Sequence, residues 1–485
     1  MSLHAQLSPE AQAALAAQKR TSTISALIIS ILSFGLVILI LMVIALTIDI
    51  KSPPEIISYS SGTSEEEEIE RPETTNQVER KPSAPSSSMA KVIATSSASP
   101  TAVPVPIMET SEVALDFGNG NDFGEGWGEG DGEGFGGGGF GNLPSSMKKR
   151  CSRSERLKLL KENGGNKKCE DAVVDALLWL QENQEEDGSW SHEAGSEKYR
   201  AAMTGFAVLA FLGHCESPNS PVFGETVEKA IVYLVNLGMK NDGKLTTPGA
   251  GGHWVYEHAI VTYALAEAFT FCQGLGEDIP NLDIVTKKAG DIVMDGQSGS
   301  GSWTYSYGKR GGDNSIGYWQ IQAVKACHLT ELWSEDSKFK KVYASAEVWF
   351  SKVQGANGTF GYREDPARNP GLTGGGVLCL QVMGLGDSKS AKAGIKYVTE
   401  SLDGHKFSLR HLYYHYYNAQ AMINHGGSEW KKYNEFFRDD LLSLQEKDGS
   451  WPTGGGHGAI NPVMTTCLAT FMLEVYYRFL PSSSK

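Results

Sequence analysis

Aromatic and histidine side chains gather at three places where strongly apolar helices are expected to begin, at 253–258, 305–319 and 411–417. If these residues face one end of a common core, they form a concave aromatic pocket, which is the usual geometry of a small-molecule site. The alternative is that the rings only fill the centre of the molecule. The candidate pocket residues are His253, Trp254, Tyr256, His258, Tyr305, Tyr307, Tyr318, Trp319, His411, Tyr414 and His415, and the cluster also contains Tyr413, Tyr416 and Tyr417.

The chain has seven cysteines, whose thiols can form disulfides or bind a metal. An odd number without regular spacing does not indicate a disulfide framework. Five of them lie in strongly apolar segments, where a small thiol packs readily. We therefore expect these five to be packing residues: Cys215, Cys272, Cys327, Cys379 and Cys467.

A short turn motif recurs between residues 184 and 451. Three copies follow the pattern Gln-x-x-Asp/Asn-Gly-x-aromatic, in which glycine supplies the turn because it tolerates positive φ. Looser copies lie at 241–245 and 295–303, and a sixth near 405–407 is eroded. The equivalent positions 190, 245, 303, 360, 407 and 451 are 44 to 58 residues apart, a period typical of repeat architectures. The motif residues are Gln184, Asp187, Gly188, Trp190, Trp303, Gln354, Gly358, Phe360, Gln445, Asp448, Gly449 and Trp451.

Each turn stands between two kinds of predicted helix. The segment before a turn, such as 171–180, has apolar residues at i, i+3 and i+4 spacing, which indicates a helix with one buried face. A helix that is apolar all round, and therefore buried, begins about 13 residues after the turn. These inner helices are expected to start near Thr204, Ile316, Thr373 and Met464. Since no period of two is present, the sequence predicts an all-α fold, an α/α toroid of about six helical-hairpin repeats.

The Gln-x-x-Asp-Gly-x-Trp copies resemble the QW repeats of the squalene cyclase and prenyltransferase superfamily, whose terpenoid cyclase-like members are α/α toroids. Segments 202–213 and 312–326 resemble the inner helices of that family. The resemblance covers about residues 168–480. Three good copies at the family's spacing, each followed by an apolar helix, imply the toroid fold.

The resemblance also implies a catalytic acid that the sequence lacks. Squalene and hopene cyclases protonate their substrate with an acid from an Asp-x-Asp-Asp motif, and no such tetrad occurs in this chain. The nearest equivalent is Asp313, before the third inner helix, which is therefore the candidate catalytic residue. The alternative is that Asp313 caps the helix N-terminus. Glu257 and Asp365 are the other acids expected near a mouth of the toroid.

Protein prenyltransferases of the same superfamily bind Zn²⁺ through an Asp, a Cys two residues later and a distant His. Cys379 lies in a suitable helix with His411 and His415 downstream, but Val377 stands where the carboxylate is needed. The zinc site is therefore incomplete. We expect no metal and no other cofactor.

Charge and hydropathy divide the chain into four parts. Residues 1–23 form a short tail, and 24–48 are almost continuously apolar and long enough to cross a bilayer core of ~30 Å. Residues 49–145 contain 17 acidic and 5 basic residues, with Pro and Ser first and Gly later, which predicts a disordered acidic linker. The toroid is predicted at 146–485. Because Lys19 and Arg20 precede the apolar run, the positive-inside rule predicts a cytoplasmic N-terminus and a toroid outside, in the periplasm.

The missing acid motif and zinc ligand favour a membrane-anchored, extracytoplasmic toroid that binds a ligand or partner without catalysis. The alternative is a terpenoid cyclase or prenyltransferase-like enzyme acting on an apolar isoprenoid substrate. A second alternative is a scaffold of an envelope complex, because one anchor, an acidic tether and an outer domain resemble the plan of TonB-like proteins. Expected partners are the lipid bilayer, through 24–48, and an apolar or polymeric ligand or an envelope protein. The domain is nearly neutral, which argues against nucleic acid.

Overall fold

The computed structural model describes residues 143–193, 196–365, 369–456 and 460–478. The predicted membrane segment at 24–48 and the linker up to residue 142 lie outside these residues. None of the described helices is both long and apolar enough to cross a bilayer. The described residues cover most of the predicted repeat domain.

Within these ranges the chain forms helices joined by loops, with no strand beyond an isolated β-bridge between Gln354 and Phe360. Two short helices come first, α1 (Ser145–Arg150) and α2 (Arg153–Glu162). Six helix pairs follow. Their first members, the outer helices, are α3 (Lys167–Glu182), α5 (Gly224–Lys240), α7 (Leu282–Asp295), α9 (Ser337–Val353), α11 (Lys389–Glu400) and α13 (Gly427–Ser443). Their second members, the inner helices, are α4 (Arg200–Gly213), α6 (Trp254–Leu275), α8 (Asn314–Leu329), α10 (Thr373–Val382), α12 (Leu412–His425) and α14 (Pro462–Glu474).

The six inner helices form a closed ring. Each contacts the inner helix of the next pair, and α14 returns to contact α4, so the last repeat closes on the first. The outer helices lie around this ring against neighbouring inner helices. The described chain is therefore an α/α toroid of six hairpins, which confirms the all-α repeat architecture that the turn spacing predicted.

Burial follows the two predicted helix types. Every residue of α4 is buried, as a helix that is apolar all round requires. The outer helix α3 buries one stripe, which includes Val173, Ala176 and Leu180, and leaves Leu178 exposed. The inner helices begin within about one turn of the predicted starts. The hydrophobic core therefore lies between and inside the inner helices.

Glutamines of the turn motif connect four of the six described repeats to the repeat that follows. Gln184 Nε2 donates to the carbonyl of Gly188 in its own turn at 3.0 Å and to the carbonyl of Thr226 on the next outer helix at 2.9 Å. Gln445 donates in the same way to the carbonyl of Ala172 at 2.8 Å, and because Ala172 belongs to α3 this bond closes the ring. The same pair of bonds is made by Gln354, to Gly358 and Ser390, and by Gln297 of the looser copy, to Gly301 and Val342.

The motif tryptophans join an outer helix to the inner helix that follows it. Trp190 Nε1 donates to the carbonyl of Leu180 near the end of α3, at 2.8 Å. The backbone N–H of Trp190 donates to Thr204 Oγ1 on α4, at 3.1 Å. Trp451 makes the equivalent bonds in the last repeat. One aromatic residue therefore fixes both helices of its hairpin.

A disulfide joins Cys151 to Cys215. The expectation that Cys215 is a packing residue and that the chain has no disulfide framework is therefore wrong. Cys215 lies just beyond the end of α4 with a φ of 68°, and its Cα is 5.0 Å from that of Cys151, within disulfide range. The sequence gives no signal that the segment before the repeats folds back onto α4. The other five cysteines are free and buried: Cys169, Cys272, Cys327, Cys379 and Cys467.

A buried ion pair and a hydrogen bond hold α1 against the carboxyl-terminal halves of two inner helices. Arg150 Nη1 donates to the carbonyl of Leu212 in α4 at 3.2 Å and to Glu267 Oε1 in α6 at 2.7 Å. Glu267 also pairs with Arg478 at 3.4 Å. A buried charge is costly unless it is paired, so these contacts depend on one another.

Candidate ligand-binding cavity

Five of the six inner helices begin around a cavity of about 300 Å³, at the end of the toroid opposite to Arg150, which contacts the far end of α4 at Leu212. The toroid is therefore hollow at this end. The cavity is lined by residues from the first two turns of α4, α6, α8, α12 and α14. These are Ala202, Met203, Phe206, Tyr256, Glu257, Ile260, Ser315, Trp319, Tyr413, Tyr414 and Met464. Loops that precede the inner helices complete the wall with His192, Tyr199, His253, Tyr305, Tyr362 and Ile460.

Five of the eleven predicted pocket residues line this cavity, namely His253, Tyr256, Tyr305, Trp319 and Tyr414. Tyr413, which belongs to the same sequence cluster, also lines it. The other six predicted residues lie outside the wall: Trp254, His258, Tyr307, Tyr318, His411 and His415.

Helix periodicity explains why Trp254 and His258 do not reach the cavity. They lie two residues before and after Tyr256, and side chains spaced by two point to nearly opposite sides of a helix. His258 is fully buried, and its Nδ1 accepts the backbone N–H of Leu245 at 3.0 Å. Burial lowers the pKa of this imidazole to about 3, so it is neutral. Trp254 packs against Tyr307 instead, with ring centroids 4.8 Å apart.

The remaining predicted residues are bonded elsewhere. Tyr318 is fully buried, and its hydroxyl donates to the carbonyl of Leu372 at 2.9 Å. His415 faces the outer helix α13, where its Nδ1 lies 2.9 Å from the Tyr433 hydroxyl. His411 is exposed, and its ring centroid lies 6.2 Å from that of Tyr414. Tyr318 and His415 therefore fill spaces between helices, which is the alternative that the sequence left open for the whole cluster.

Ten residues of the wall are not among those predicted from the sequence. Ala202, Met203 and Phe206 are spaced i, i+1 and i+4, which places them on one face of α4, and this spacing is a signal that could have found them. Loop residues such as His192 and Tyr362 carry no such periodicity. The missed residues are His192, Tyr199, Ala202, Met203, Phe206, Ile260, Ser315, Tyr362, Ile460 and Met464.

Asp313, the candidate catalytic acid, caps the N-terminus of α8. Its Oδ1 accepts the backbone N–H of Ser315 at 3.0 Å and the Ser315 hydroxyl at 2.5 Å. The side chain is buried, which raises the pKa of its carboxyl, and the Arg363 guanidinium is 3.9 Å away. Asp313 does not itself line the cavity. Asp313 is therefore a helix cap, and it is connected to the cavity wall through its hydrogen bonds to Ser315.

Glu257 is the carboxyl group that does line the cavity. Its Oε1 accepts from Ala202 N at 3.4 Å and Thr247 Oγ1 at 3.0 Å, and its Oε2 accepts from Thr246 Oγ1 at 2.6 Å and Thr247 N at 3.1 Å. Burial raises the pKa of this carboxyl group. Four donors therefore already occupy both oxygens, and they fix the loop before α6 to α4 and α6.

Hydroxyl groups meet on one side of the wall. Tyr256 and Ser315 have their oxygens 2.7 Å apart, and the Tyr305 oxygen is 3.4 Å from that of Tyr256. Tyr413 accepts from Trp319 Nε1 and donates to the carbonyl of Ser315, both at 3.1 Å. The aromatic wall therefore contains a local polar region.

Metal ligands do not gather in the described part of the chain, where no three His, Cys, Asp or Glu residues approach closely enough to hold an ion. Cys379, the candidate zinc ligand, is fully buried in α10, and burial raises the pKa of its thiol. Its side chain does not reach the cavity wall.

No protein-family model matches the chain, and no curated protein matches it. Solved structures similar to it include the type II terpene cyclase MstE from Scytonema in complex with geranylgeranyl dihydroxybenzoate, at 13% identity and a TM-score of 0.41, covering 64% of this chain and 98% of that one. A protein from Actinoplanes has 14% identity and a TM-score of 0.40, covering 64% and 99%. The likeness concerns the arrangement of helices alone, and at these scores it bears on neither activity nor ligand.

Proposed function

We propose that the toroid binds an apolar ligand in the cavity at the start of its inner helices. The observation that supports this proposal is a cavity of about 300 Å³ whose wall is built mainly from aromatic and aliphatic side chains. Such a concave, largely apolar site with a few polar groups is typical of small-molecule binding. A hollow centre also favours ligand binding over a scaffold of an envelope complex, which needs no cavity.

The volume limits the size of the ligand. An apolar cavity of about 150 Å³ accepts benzene, so one twice that size holds on the order of a dozen non-hydrogen atoms. The flat rings of Trp319, Tyr256 and Phe206 favour a ligand with a ring or a branched hydrocarbon body.

Binding without catalysis is favoured because the nearby carboxyl groups are already engaged. Protonating an alkene needs an acid whose proton points at the substrate. Glu257 accepts four hydrogen bonds, two of them from backbone N–H groups that can only donate. Asp313 caps α8 and lies outside the wall. Neither group presents an unoccupied oxygen to the cavity.

Calorimetric titration of the full-length chain with 2-methylnaphthalene, a hydrocarbon of about eleven carbons, tests this proposal. We expect saturable binding. Ala202→Leu adds carbon atoms inside the wall and should weaken it at least about tenfold. Ala344→Leu, the same change at an exposed position on α9, is the matched control and should bind as the wild type does. Absence of binding, or equal binding by both variants, would contradict the proposal.

A terpenoid cyclase or prenyltransferase-like enzyme is the second candidate. It is favoured by one observation, the position of Glu257 in the wall with a pKa that burial raises. Product analysis after incubation with polyprenyl substrates of about ten to fifteen carbons, near the size that the cavity holds, tests it. A cyclised product that is lost in Glu257→Gln, while the melting temperature stays unchanged, would replace the binding proposal by the enzymatic one.

We also propose a membrane-anchored, extracytoplasmic location. The apolar run at 24–48 supports it, and so does the Cys151–Cys215 disulfide, since such bonds persist in oxidising compartments. Acid quenching and alkylation of the chain taken directly from cells tests the location. The pair should be oxidised, and a fully reduced pair would contradict this part of the proposal.

A further inference from the structure

The polar region of the cavity wall begins at Asp313 and Ser315. Asp313 Oδ1 receives the backbone N–H of Ser315, which can only donate, so this oxygen acts as an acceptor. The Ser315 hydroxyl lies 2.5 Å from the same oxygen and therefore donates its hydrogen to it. A serine hydroxyl has a single hydrogen, so Ser315 has none left to give to another group.

Because Ser315 donates its hydrogen to Asp313, the direction of the hydrogen bond between Ser315 and Tyr256 is determined. The Tyr256 and Ser315 oxygens are 2.7 Å apart, a normal distance for a hydrogen bond between hydroxyl groups. Because the Ser315 hydrogen is directed at Asp313, Tyr256 must donate to Ser315. The Tyr256 oxygen then keeps its acceptor capacity at the cavity wall.

The Tyr305 hydroxyl is beside that acceptor but poorly bonded to it. The two tyrosine oxygens are 3.4 Å apart, beyond the range of about 2.5–3.0 Å for such bonds. Tyr305 and Tyr256 both line the cavity. The wall therefore presents one acceptor and one donor side by side, and a single hydroxyl group, which is a donor and an acceptor at once, complements this pair.

We infer that the apolar ligand of the cavity carries a hydroxyl group, which donates to the Tyr256 oxygen and accepts from the Tyr305 hydroxyl. This inference rests on the proposed function and adds the chemical class of its ligand. Asp313 is a positioning residue, because it acts through Ser315 to orient Tyr256. The combination selects a hydroxylated compound over a hydrocarbon of the same shape.

The test compares 2-naphthol with 2-methylnaphthalene, in which a methyl group of similar size replaces the hydroxyl. Both are titrated calorimetrically into the full-length chain. Two additional hydrogen bonds should make 2-naphthol bind about tenfold more tightly or better. The measured quantity is the dissociation constant of 2-methylnaphthalene divided by that of 2-naphthol. An error in the concentration of active protein affects both constants equally and cancels in this ratio.

Variants show which side chains produce the preference for 2-naphthol. Tyr256→Phe and Tyr305→Phe should each bring it to within about threefold of one and leave the affinity for 2-methylnaphthalene nearly unchanged. Ser315→Ala removes the acceptor that orients Tyr256, so it should lower the ratio as well. Tyr397→Phe is the matched control, because it removes the hydroxyl of a half-buried tyrosine on α11 that does not line the cavity, and it should keep the wild-type ratio.

The outcomes separate this inference from the proposed function. If both compounds bind equally well, the cavity takes an apolar ligand but the hydroxyl preference is wrong. If Tyr397→Phe lowers the ratio as much as Tyr256→Phe does, the recognition is not located at the Tyr256–Tyr305 pair and the inference is wrong. If neither compound binds, the proposed function fails together with it.

Discussion

The conformation of single glycines determines whether neighbouring repeats can pack. Gly188 has a φ of 88° and Gly449 a φ of 91°, in the region that favours glycine. A β-carbon at either position would also collide with the backbone of the next outer helix, at Lys229 and Asp175 respectively. The turn glycine is therefore required both by its own dihedral angles and by the close approach of the adjacent repeat.

We predict that Gly188→Ala lowers the free energy of unfolding by more than about 1–2 kcal/mol, the cost of the left-handed conformation alone, because the collision adds to it. Gly299→Ala is the control, since a β-carbon there meets nothing within 4 Å. Thermal or denaturant unfolding of both variants measures the difference. Equal stability of Gly188→Ala and the wild type would mean that the turn relaxes without cost.

At the scale of whole elements, the sequence predicts which helices are inner and outer but not how each is rotated about its axis. The period and the starts of the inner helices follow from the turn motif and from all-round apolarity. Tyr256 and His258 look equally suitable for a pocket in the sequence, yet one lines the cavity and the other packs against the loop at Leu245. Rotation is decided by packing against two neighbours at once, and a single helix pattern does not contain that information.

The glutamine bridges between outer helices lead to a prediction about ring closure. Gln445→Ala would leave the carbonyls of Gly449 and Ala172 without this donor, in the bond that joins the last repeat to the first. We expect a loss of about 1–3 kcal/mol in unfolding free energy. Gln354→Ala removes the equivalent bonds to Gly358 and Ser390, between two repeats that are consecutive in the sequence. It should lower the unfolding free energy by about the same amount. A much smaller loss for Gln445→Ala would indicate that the closing contact does not need its bridge.

Charged groups at the opposite end from the cavity join three elements. Glu170 of α3 accepts from Arg156 Nε of α2 at 2.9 Å and lies 3.2 Å from His214, which follows α4. Burial alone would raise the pKa of Glu170, but the hydrogen bond and charge of His214 and the charge of Arg156 lower it to about 2. The hydrogen bonds to Glu170 and Glu216 raise the pKa of His214 although burial and Arg156 oppose this.

These shifts give a pH dependence whose sign can be stated. A carboxyl group whose pKa is lowered in the folded state stabilises that state at pH values above its ordinary pKa of 4.5. This contribution is lost as the pH falls towards the folded-state pKa of about 2. We predict that Glu170→Gln lowers stability by about 3 kcal/mol at pH 5–6 and that the difference shrinks towards pH 2. Melting curves across this range measure it. Glu228→Gln, at an exposed site on α5, should parallel the wild type; a constant difference for Glu170→Gln would contradict the linkage.

For the molecule as a whole, the disulfide connects the segment that precedes the repeats to the ring itself. Cys151 and Cys215 are 64 residues apart, and between them lie α2, α3 and α4. The ring is predictable from the sequence because its motif recurs, whereas the cysteine pairing occurs once and has no period that would indicate it. The same holds for Arg150, whose partners Leu212 and Glu267 are far away in the sequence. Contacts that occur only once are therefore the part of the fold that a repeat pattern cannot predict.

Closing a loop of this length restricts the unfolded chain, and the chain-entropy relation gives a stabilisation of about 4 kcal/mol. We therefore predict that a reductant lowers the melting temperature of the full-length chain. The double variant Cys151→Ser, Cys215→Ser should have the melting temperature of the reduced wild type, whether or not reductant is present. The double variant of the buried free thiols Cys327→Ala and Cys467→Ala is the control, because it should keep the response to reductant. A wild-type melting temperature that does not change on complete reduction of the pair would show that the buried charges around Arg150 hold this segment on the ring without the disulfide.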